Sequence, residues 1–171
     1  MQNQTRIIIE NVMPQLDGGV FAIKRIINQK VNVTASVFSD GHDVIEACVK
    51  FKHESDKKWS EVRMSPTFND EWQAEFKVEK QGTYTYYVEG WVDYALNWQH
   101  GTERKINDNQ YVKSELLEGA EYAQAVQKKA TEDEKGYLRH LEYIFKNELT
   151  YDEAINEARS SRLTEIFKKY P

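Results

Sequence analysis

Aromatic side chains are the chemistry-bearing residues present in excess. The 171-residue chain carries four tryptophans, Trp59, Trp72, Trp91 and Trp98. Trp59, Trp72, Tyr87 and Trp91 fall on stretches that read as strands. There they would form a flat surface for stacking sugar rings or, alternatively, a core or a protein interface, since buried aromatics dominate both. Trp91 lies at the junction of the strand and helical regions with Trp98 seven residues on, and the pair is expected to lock the two parts together. Other chemistries find less to work with. His42, His53, His100 and His140 are scattered, with no pair at the i,i+3 or i,i+4 spacing that lets ligands converge on one ion. His42-Asp43 reads as a solvated loop. Cys48, mid-strand and without a histidine nearby in sequence, reads as a structural thiol rather than an activated nucleophile. Gly18-Gly19 lacks the spacing of a phosphate-binding loop and reads as a turn. Glycoside hydrolysis needs two carboxylates held across one sugar bond. Among 28 acidic residues, pairs such as Asp70-Glu71 or Asp152-Glu153 single nothing out. No serine sits in a nucleophile elbow. This reading names no catalytic residue, no metal site and no cofactor. It leaves Trp59, Trp72, Tyr87, Trp91 and Trp98 as candidate carbohydrate or interface residues.

The elements that must position these aromatics change character near Asp93. Before it, short β-branched and aromatic runs alternate with turn residues. Strands are expected over 6–12, 20–27, 30–38, around Ala47, Val49 and Phe51, over 59–64, 72–78 and 82–92. Pro14, Asp17-Gly18-Gly19, Asn28-Gln29 and Asp40-Gly41 punctuate them. Val31, Val33, Ala35 and Val37 alternate with Asn32, Thr34 and Ser36, the period of two that marks a strand with one buried face. Many short strands separated by turns imply a β-sandwich. Gly82-Thr83-Tyr84-Thr85-Tyr86 has the spacing of an immunoglobulin-like strand in which a tyrosine bonds back to the preceding corner. Tyr86 stands where antibody domains place a cysteine, so packing alone would hold the sandwich. After Asp93, helices are expected over 94–106, 112–130, 132–148 and 151–169, the last breaking near Ser160-Ser161. Val112, Leu116, Ala120 and Ala123 recur at helical spacing, with Leu117 and Val126 widening the stripe. Thr131 with Glu134, and Thr150 with Glu153, have the pattern of capping boxes. The fold class is therefore α+β: an immunoglobulin-like antiparallel β-sandwich over 1–92 followed by an α-helical bundle extension over 93–171.

The formal net charge is −5, and both halves are mildly acidic. With no basic half to neutralise phosphates, nucleic acid is not an expected partner. No apolar run reaches the roughly 18 residues that would span a bilayer, so a membrane is not expected either. The first ten residues lack a signal-peptide pattern. One cysteine allows no internal disulfide, which suits a reducing, cytoplasmic setting.

Four segments in order extend the reading. Arg6-Ile7-Ile8-Ile9-Glu10-Asn11-Val12, with Pro14-Gln15 and Asp17-Gly18-Gly19, comes first. Val37-Phe38-Ser39-Asp40-Gly41-His42-Asp43-Val44 is the second. The third is Gly82-Thr83-Tyr84 through Val88-Glu89-Gly90-Trp91-Val92-Asp93. The fourth is Ser114-Glu115-Leu116-Leu117-Glu118-Gly119-Ala120. Together they resemble the N-terminal region of the α-1,4-glucan:maltose-1-phosphate maltosyltransferases, members of the α-amylase superfamily in glycoside hydrolase family 13. The resemblance runs from about Arg6 to Tyr170. It implies a parent that transfers maltosyl units from maltose 1-phosphate to an α-1,4-glucan, with catalysis in a (β/α)8 barrel that follows the N-terminal part. None of that family's catalytic residues maps onto this chain. The implied role is a non-catalytic accessory and dimerisation domain, whose partners are its own catalytic barrel and a second copy. The resemblance also implies that family members continue with a further strand, leaving a sheet edge open here. Other relatives in the superfamily carry N-terminal sandwiches too, some of which bind glucans. A glucan-binding immunoglobulin-like module of another α-amylase-family glycoside hydrolase therefore stands as the alternative.

Overall fold

A computed structural model describes residues 7–170. Arg6, which the sequence places at the head of the first strand, lies outside the described residues, as does Pro171. The chain divides into two compact units, Met1–Val92 and Asp93–Pro171.

The first unit is built from seven strands: β1 (Ile7–Met13), β2 (Lys30–Ser39), β3 (Ile45–His53), β4 (Ser60–Arg63), β5 (Ser65–Pro66), β6 (Glu71–Lys77) and β7 (Tyr84–Val92). They form two antiparallel sheets, ordered β1-β2-β6-β5 and β4-β3-β7. The alternation in β2 does what a period of two dictates. Val31, Val33, Ala35 and Val37 are buried, whereas Asn32, Thr34 and Ser36 are not. β6 answers in register, Val33 opposite Ala74 and Ala35 opposite Trp72. Ala47 and Val49 from β3 join Val33, Val37, Trp72 and Phe76 in one apolar cluster, so both sheets contribute to the same core. Within it Phe51 stacks on Phe76 at 4.4 Å between centroids. Cys48 is reduced and buried. The Tyr84 hydroxyl accepts backbone N–H bonds from Glu79 at 3.2 Å and Lys80 at 3.1 Å. The tyrosine thus ties down the corner that precedes its own strand.

One expected strand is absent. Residues 20–27 form no strand, and within 14–29 only a 3-10 turn over Asp17–Gly19 and an isolated bridge between Leu16 and Phe21 form. Val20, Phe21, Ile26 and Ile27 are exposed. The physical reason is a lack of vacancy: β2 is flanked by β1 on one side and β6 on the other, so no ladder position beside it remains. The segment's apolar residues also do not alternate, so it has no single face to bury.

The second unit comprises α1 (Tyr94–Asn107), α2 (Lys113–Gln127), α3 (Glu132–Lys146), α4 (Tyr151–Ala158) and α5 (Ser161–Lys169), with a 3-10 turn at Glu148–Thr150. Asp93 caps α1, its Oδ1 accepting from Leu96 N–H at 2.9 Å. The capping box at α3 forms: Glu134 Oε2 accepts the Thr131 N–H at 3.0 Å. The second expected box does not form. Thr150 ends the 3-10 turn, and its hydroxyl donates backward to the Ile144 and Asn147 carbonyls at 2.9 and 3.0 Å. The expected last helix breaks at Ser160, which caps α5 by accepting from Leu163 N–H at 3.2 Å. Leu117 does not widen the buried stripe of α2; it is exposed, because the buried face follows Leu116, Gly119, Ala120, Ala123 and Val126.

Trp98 lies at the centre of this unit. Its ring packs near Phe145 at 5.9 Å, Phe167 at 6.1 Å and Tyr122 at 6.1 Å, and its Nε1 donates to the Glu115 carbonyl at 2.6 Å. The indole lies against the backbone of α2 at Gly119, where a Cβ would clash with the Trp98 ring at Cζ2 and Cη2. Gln99 is buried beside it. Its amide donates to the Ala158 and Ser160 carbonyls at 3.1 and 3.2 Å and accepts from the Thr164 hydroxyl at 3.0 Å. Gln99 thus bonds the carbonyls on either side of the α4–α5 break, of which that of Ser160 also accepts from Thr164 N–H at 3.2 Å. Where α3 begins and α5 ends, Glu134 accepts from Lys169 Nζ at 2.8 Å and Tyr170 Oη at 2.7 Å.

Two predictions follow from this packing. Gly119→Ala gains about 1 kcal/mol of helix propensity but must displace a tryptophan, and overpacking of this kind costs about 1–3 kcal/mol. The expected net effect is a lower urea midpoint by far-UV circular dichroism; an unchanged or higher midpoint contradicts the close approach. The Glu134 carboxyl is held down to about 2, first by the hydrogen bond from Lys169, then by Thr131 and Tyr170. A depressed carboxyl stabilises above its ordinary range and loses that contribution as pH falls through its folded value. Stability is therefore expected to decline from about pH 4.5 to about pH 2, and Glu134→Gln is expected to flatten that part of an acid-unfolding profile.

Candidate functional site

The second sheet presents one face to the core and the other away from it. On β3 the core face carries Ala47, Val49 and Phe51. Period-two alternation places Glu46, Cys48, Lys50 and Lys52 on the opposite face. The register aligns these with neighbours of the same facing: Lys50 with Glu61 and Tyr87, Cys48 with Arg63 and Glu89, Glu46 with Trp91. The outward face of β4-β3-β7 is thus an ordered array of charges and aromatics.

Ion pairs tie the array together. Lys50 Nζ reaches Glu61 at 2.5 Å and Glu89 at 3.7 Å. The hydrogen bond to Glu61 raises the Lys50 pKa, and the same bond lowers that of Glu61. Arg63 lies 3.9 Å from Glu46 and stacks over the Trp91 ring at 4.5 Å. Beneath them, burial pushes the Cys48 thiol upward. A raised thiol pKa keeps the sulfur protonated, which suits a packing role rather than a nucleophile.

Trp59 and Tyr87 are brought together. Their rings meet edge to face at 5.0 Å and 75°, and Lys52 Nζ lies over the Trp59 ring at 5.1 Å. Trp59 precedes β4 and is 42% exposed, close to the 43% of Tyr87. Trp91, half-buried, lies four residues from Tyr87 along β7, about 13 Å at ~3.3 Å per residue. Trp72 does not join this face. It is buried in the core with Nε1 donating to the Val37 carbonyl at 3.1 Å. Trp98 is buried among the helices. The five candidates therefore divide into one exposed pair, one half-buried ring under an arginine and two core residues. Lys50, Lys52, Glu61 and Arg63 were not singled out from the sequence, although the alternation through β3 marks Lys50 and Lys52 as sharing an outward face. Phe68, the most exposed phenylalanine of the described residues, was also missed. The turn-forming Asn69-Asp70 dipeptide after it was the available signal.

Among the described residues, no group of three or more His, Cys, Asp or Glu gathers at metal-binding distance. No helix among them is long and apolar enough to cross a membrane.

Comparison with known proteins adds family membership. Residues 5–171 match the family described as α-1,4-glucan:maltose-1-phosphate maltosyltransferase, domain N/S. Relatives bearing that enzyme name include one from Chlorobaculum tepidum, 35% identical over 135 residues, covering 79% of this chain and 20% of the relative. One from Myxococcus xanthus is 38% identical over 118 residues, covering 67% and 18%. One from Methylacidiphilum infernorum is 35% identical over 119 residues, covering 70% and 18%. The chain spans about a fifth of the length of these relatives. With its match running through both units, the chain belongs to the domain N/S family of the α-1,4-glucan:maltose-1-phosphate maltosyltransferases.

Proposed function

We propose that this chain is the non-catalytic N-terminal accessory part of a cytoplasmic maltosyltransferase of the α-amylase superfamily, which extends α-1,4-glucans from maltose 1-phosphate. It holds the catalytic barrel and pairs with a second copy. The observation that carries this reading is the family match across residues 5–171, together with relatives of which the matched stretch covers only about a fifth. Residues 1–92 serve as an immunoglobulin-like sandwich and 93–171 as a helical extension. The two antiparallel sheets with a shared core and the Tyr84 corner bond support the first assignment. β7 ends its sheet, and among the described residues it pairs only with β3. Its other edge is suited to a further strand of the full-length protein.

Self-association has a specific surface in its favour. Tyr111 stacks on Tyr151 at 5.0 Å and donates to Glu148 at 2.9 Å, while Asn147 bonds the Tyr143 hydroxyl at 3.1 Å. Between these residues Leu149 stands 94% exposed. Tyrosines are enriched at interface centres, and an exposed leucine among them adds apolar surface that a second copy would bury.

The alternative, a glucan-binding module, is favoured by the exposed Trp59–Tyr87 pair. Lys52 over the Trp59 ring counts against it, because it competes for the face on which a sugar would stack.

Three measurements test these readings. Turnover of maltose 1-phosphate by the 171-residue chain is expected to be blank; activity abolished by one carboxylate substitution overturns the accessory reading. Light scattering at high micromolar concentration is expected to show a dimer that Leu149→Arg converts to monomer. A monomeric parent chain removes the support for pairing through this surface. Acrylamide is expected to quench chiefly Trp59, so Trp59→Phe removes most of the quenchable emission. Protection of Trp59 by maltoheptaose would establish the alternative.

A further inference from the structure

A concavity of about 380 Å³ lies wholly within the first unit, between the loop after β2 and the turn joining β5 to β6. That size is within the range of small-ligand sites. Ser39 and Asp43 line one side, Thr67, Asn69 and Asp70 the other, and Phe68 stands at the rim, 78% exposed. The loop belongs to the segment Val37 to Val44 that the sequence singled out and that the accessory role leaves unused.

The turn that carries Phe68 is held by its own bonds. Thr67 N–H donates to the Glu71 carbonyl at 2.8 Å, and the Thr67 hydroxyl donates to the same carbonyl at 3.0 Å. Asn69 and Asp70 both adopt left-handed backbone angles, φ 51° and 60°. The Asp70 carbonyl accepts from Val37 N–H at 2.9 Å, which pins the turn to β2. A phenylalanine outside the core is thereby carried on a backbone-held turn beside a polar cleft.

The chemistry of the lining narrows the ligand. No Lys, Arg or His side chain lines the cleft, while Asp43, Asp70 and Glu71 do. A phosphate or carboxylate ligand would meet only like charge. Nor do these carboxylates form a group able to hold a metal, among the described residues. A neutral polyol fits both features. The C–H face of a pyranose can lie on the exposed phenyl ring, and its hydroxyls can bond to hydroxyl, amide and carboxylate oxygens.

We infer that the cleft beside Phe68 is a glucan-binding subsite taking a short run of α-1,4-linked glucose. This rests on the glucan-binding reading but moves the contact from the tryptophans to Phe68; the accessory role does not depend on it.

Calorimetric titration of the 171-residue chain with maltoheptaose tests it, together with Phe68→Ala, Phe68→Trp and Trp59→Ala. Phe68 lies outside the core cluster, so its replacement leaves the fold intact. Saturable binding by the parent chain is expected, weakened about tenfold by Phe68→Ala, the change that follows from losing one stacking contact. In Phe68→Trp, maltoheptaose is expected to shift the emission of the new indole. Binding that survives Phe68→Ala but is lost in Trp59→Ala overturns the assignment of the cleft and keeps the glucan reading. Absence of binding to the parent chain overturns both and leaves the accessory reading standing.

Discussion

The Trp98 indole lies directly against the backbone of α2, and the arrangement of the helical unit depends on that contact. It is possible only because residue 119 has no side chain. A glycine inside a helix costs about 1 kcal/mol relative to alanine. That cost is offset here by burial of an aromatic ring that touches residues of α2, α3 and α5. The next residue in α1 completes the arrangement with polar groups. Gln99 donates to the Ala158 and Ser160 carbonyls that flank the α4–α5 break, which ties the break to α1 through buried polar groups. Two consecutive side chains, one apolar and one amide, thus position four of the five helices.

In the first unit the corresponding constraint is the two-sidedness of β3. Its inner residues Ala47, Val49 and Phe51 are apolar and meet β2 and β6 in one core. Its outer residues carry both signs of charge, Glu46 pairing with Arg63 and Lys50 with Glu61 on β4, and Lys50 with Glu89 on β7. Cross-strand pairs of this kind contribute modestly when exposed. Their larger consequence is that the sheet's outward face is polar, with Trp59–Tyr87 and Trp91 as its aromatic residues. Three surface features stand out among the described residues: the Tyr143–Leu149 region, the Trp59–Tyr87 pair and the cleft beside Phe68.

Family membership and geometry bear on different questions. The match assigns the chain to domain N/S of a maltosyltransferase family, but it does not say which of these surfaces works. Trp72, which shared with Trp59 the reading of a sugar-stacking strand residue, packs in the core, and Trp98 packs among the helices. Trp72 and Trp98 each satisfy the indole N–H with a backbone carbonyl, as a buried indole must.

What the sequence by itself determined was local. The alternation through 30–38 specified β2 and its buried face, because the side-chain period of a strand is two whatever surrounds it. Thr131 and Glu134 specified the start of α3, and Ser160 the break between α4 and α5, because caps are satisfied within a single turn. Tyr84 disclosed a corner bond because both its acceptor and its donors lie within five residues. Tertiary structure decided everything that depended on occupancy. Residues 20–27 had the composition of a strand, but β1 and β6 already filled both edges of β2. Thr150 had the pattern of a cap, but the 3-10 turn before it turned the hydroxyl backward. Leu117 sat one position outside the face that α2 buries. The five candidate aromatics were indistinguishable by type, since indole serves a core and an interface equally well. Only the packing of β6 and α1 placed Trp72 and Trp98 inside, left Trp59 and Tyr87 outside, and set Phe68, unnoticed in the sequence, at the rim of a cleft.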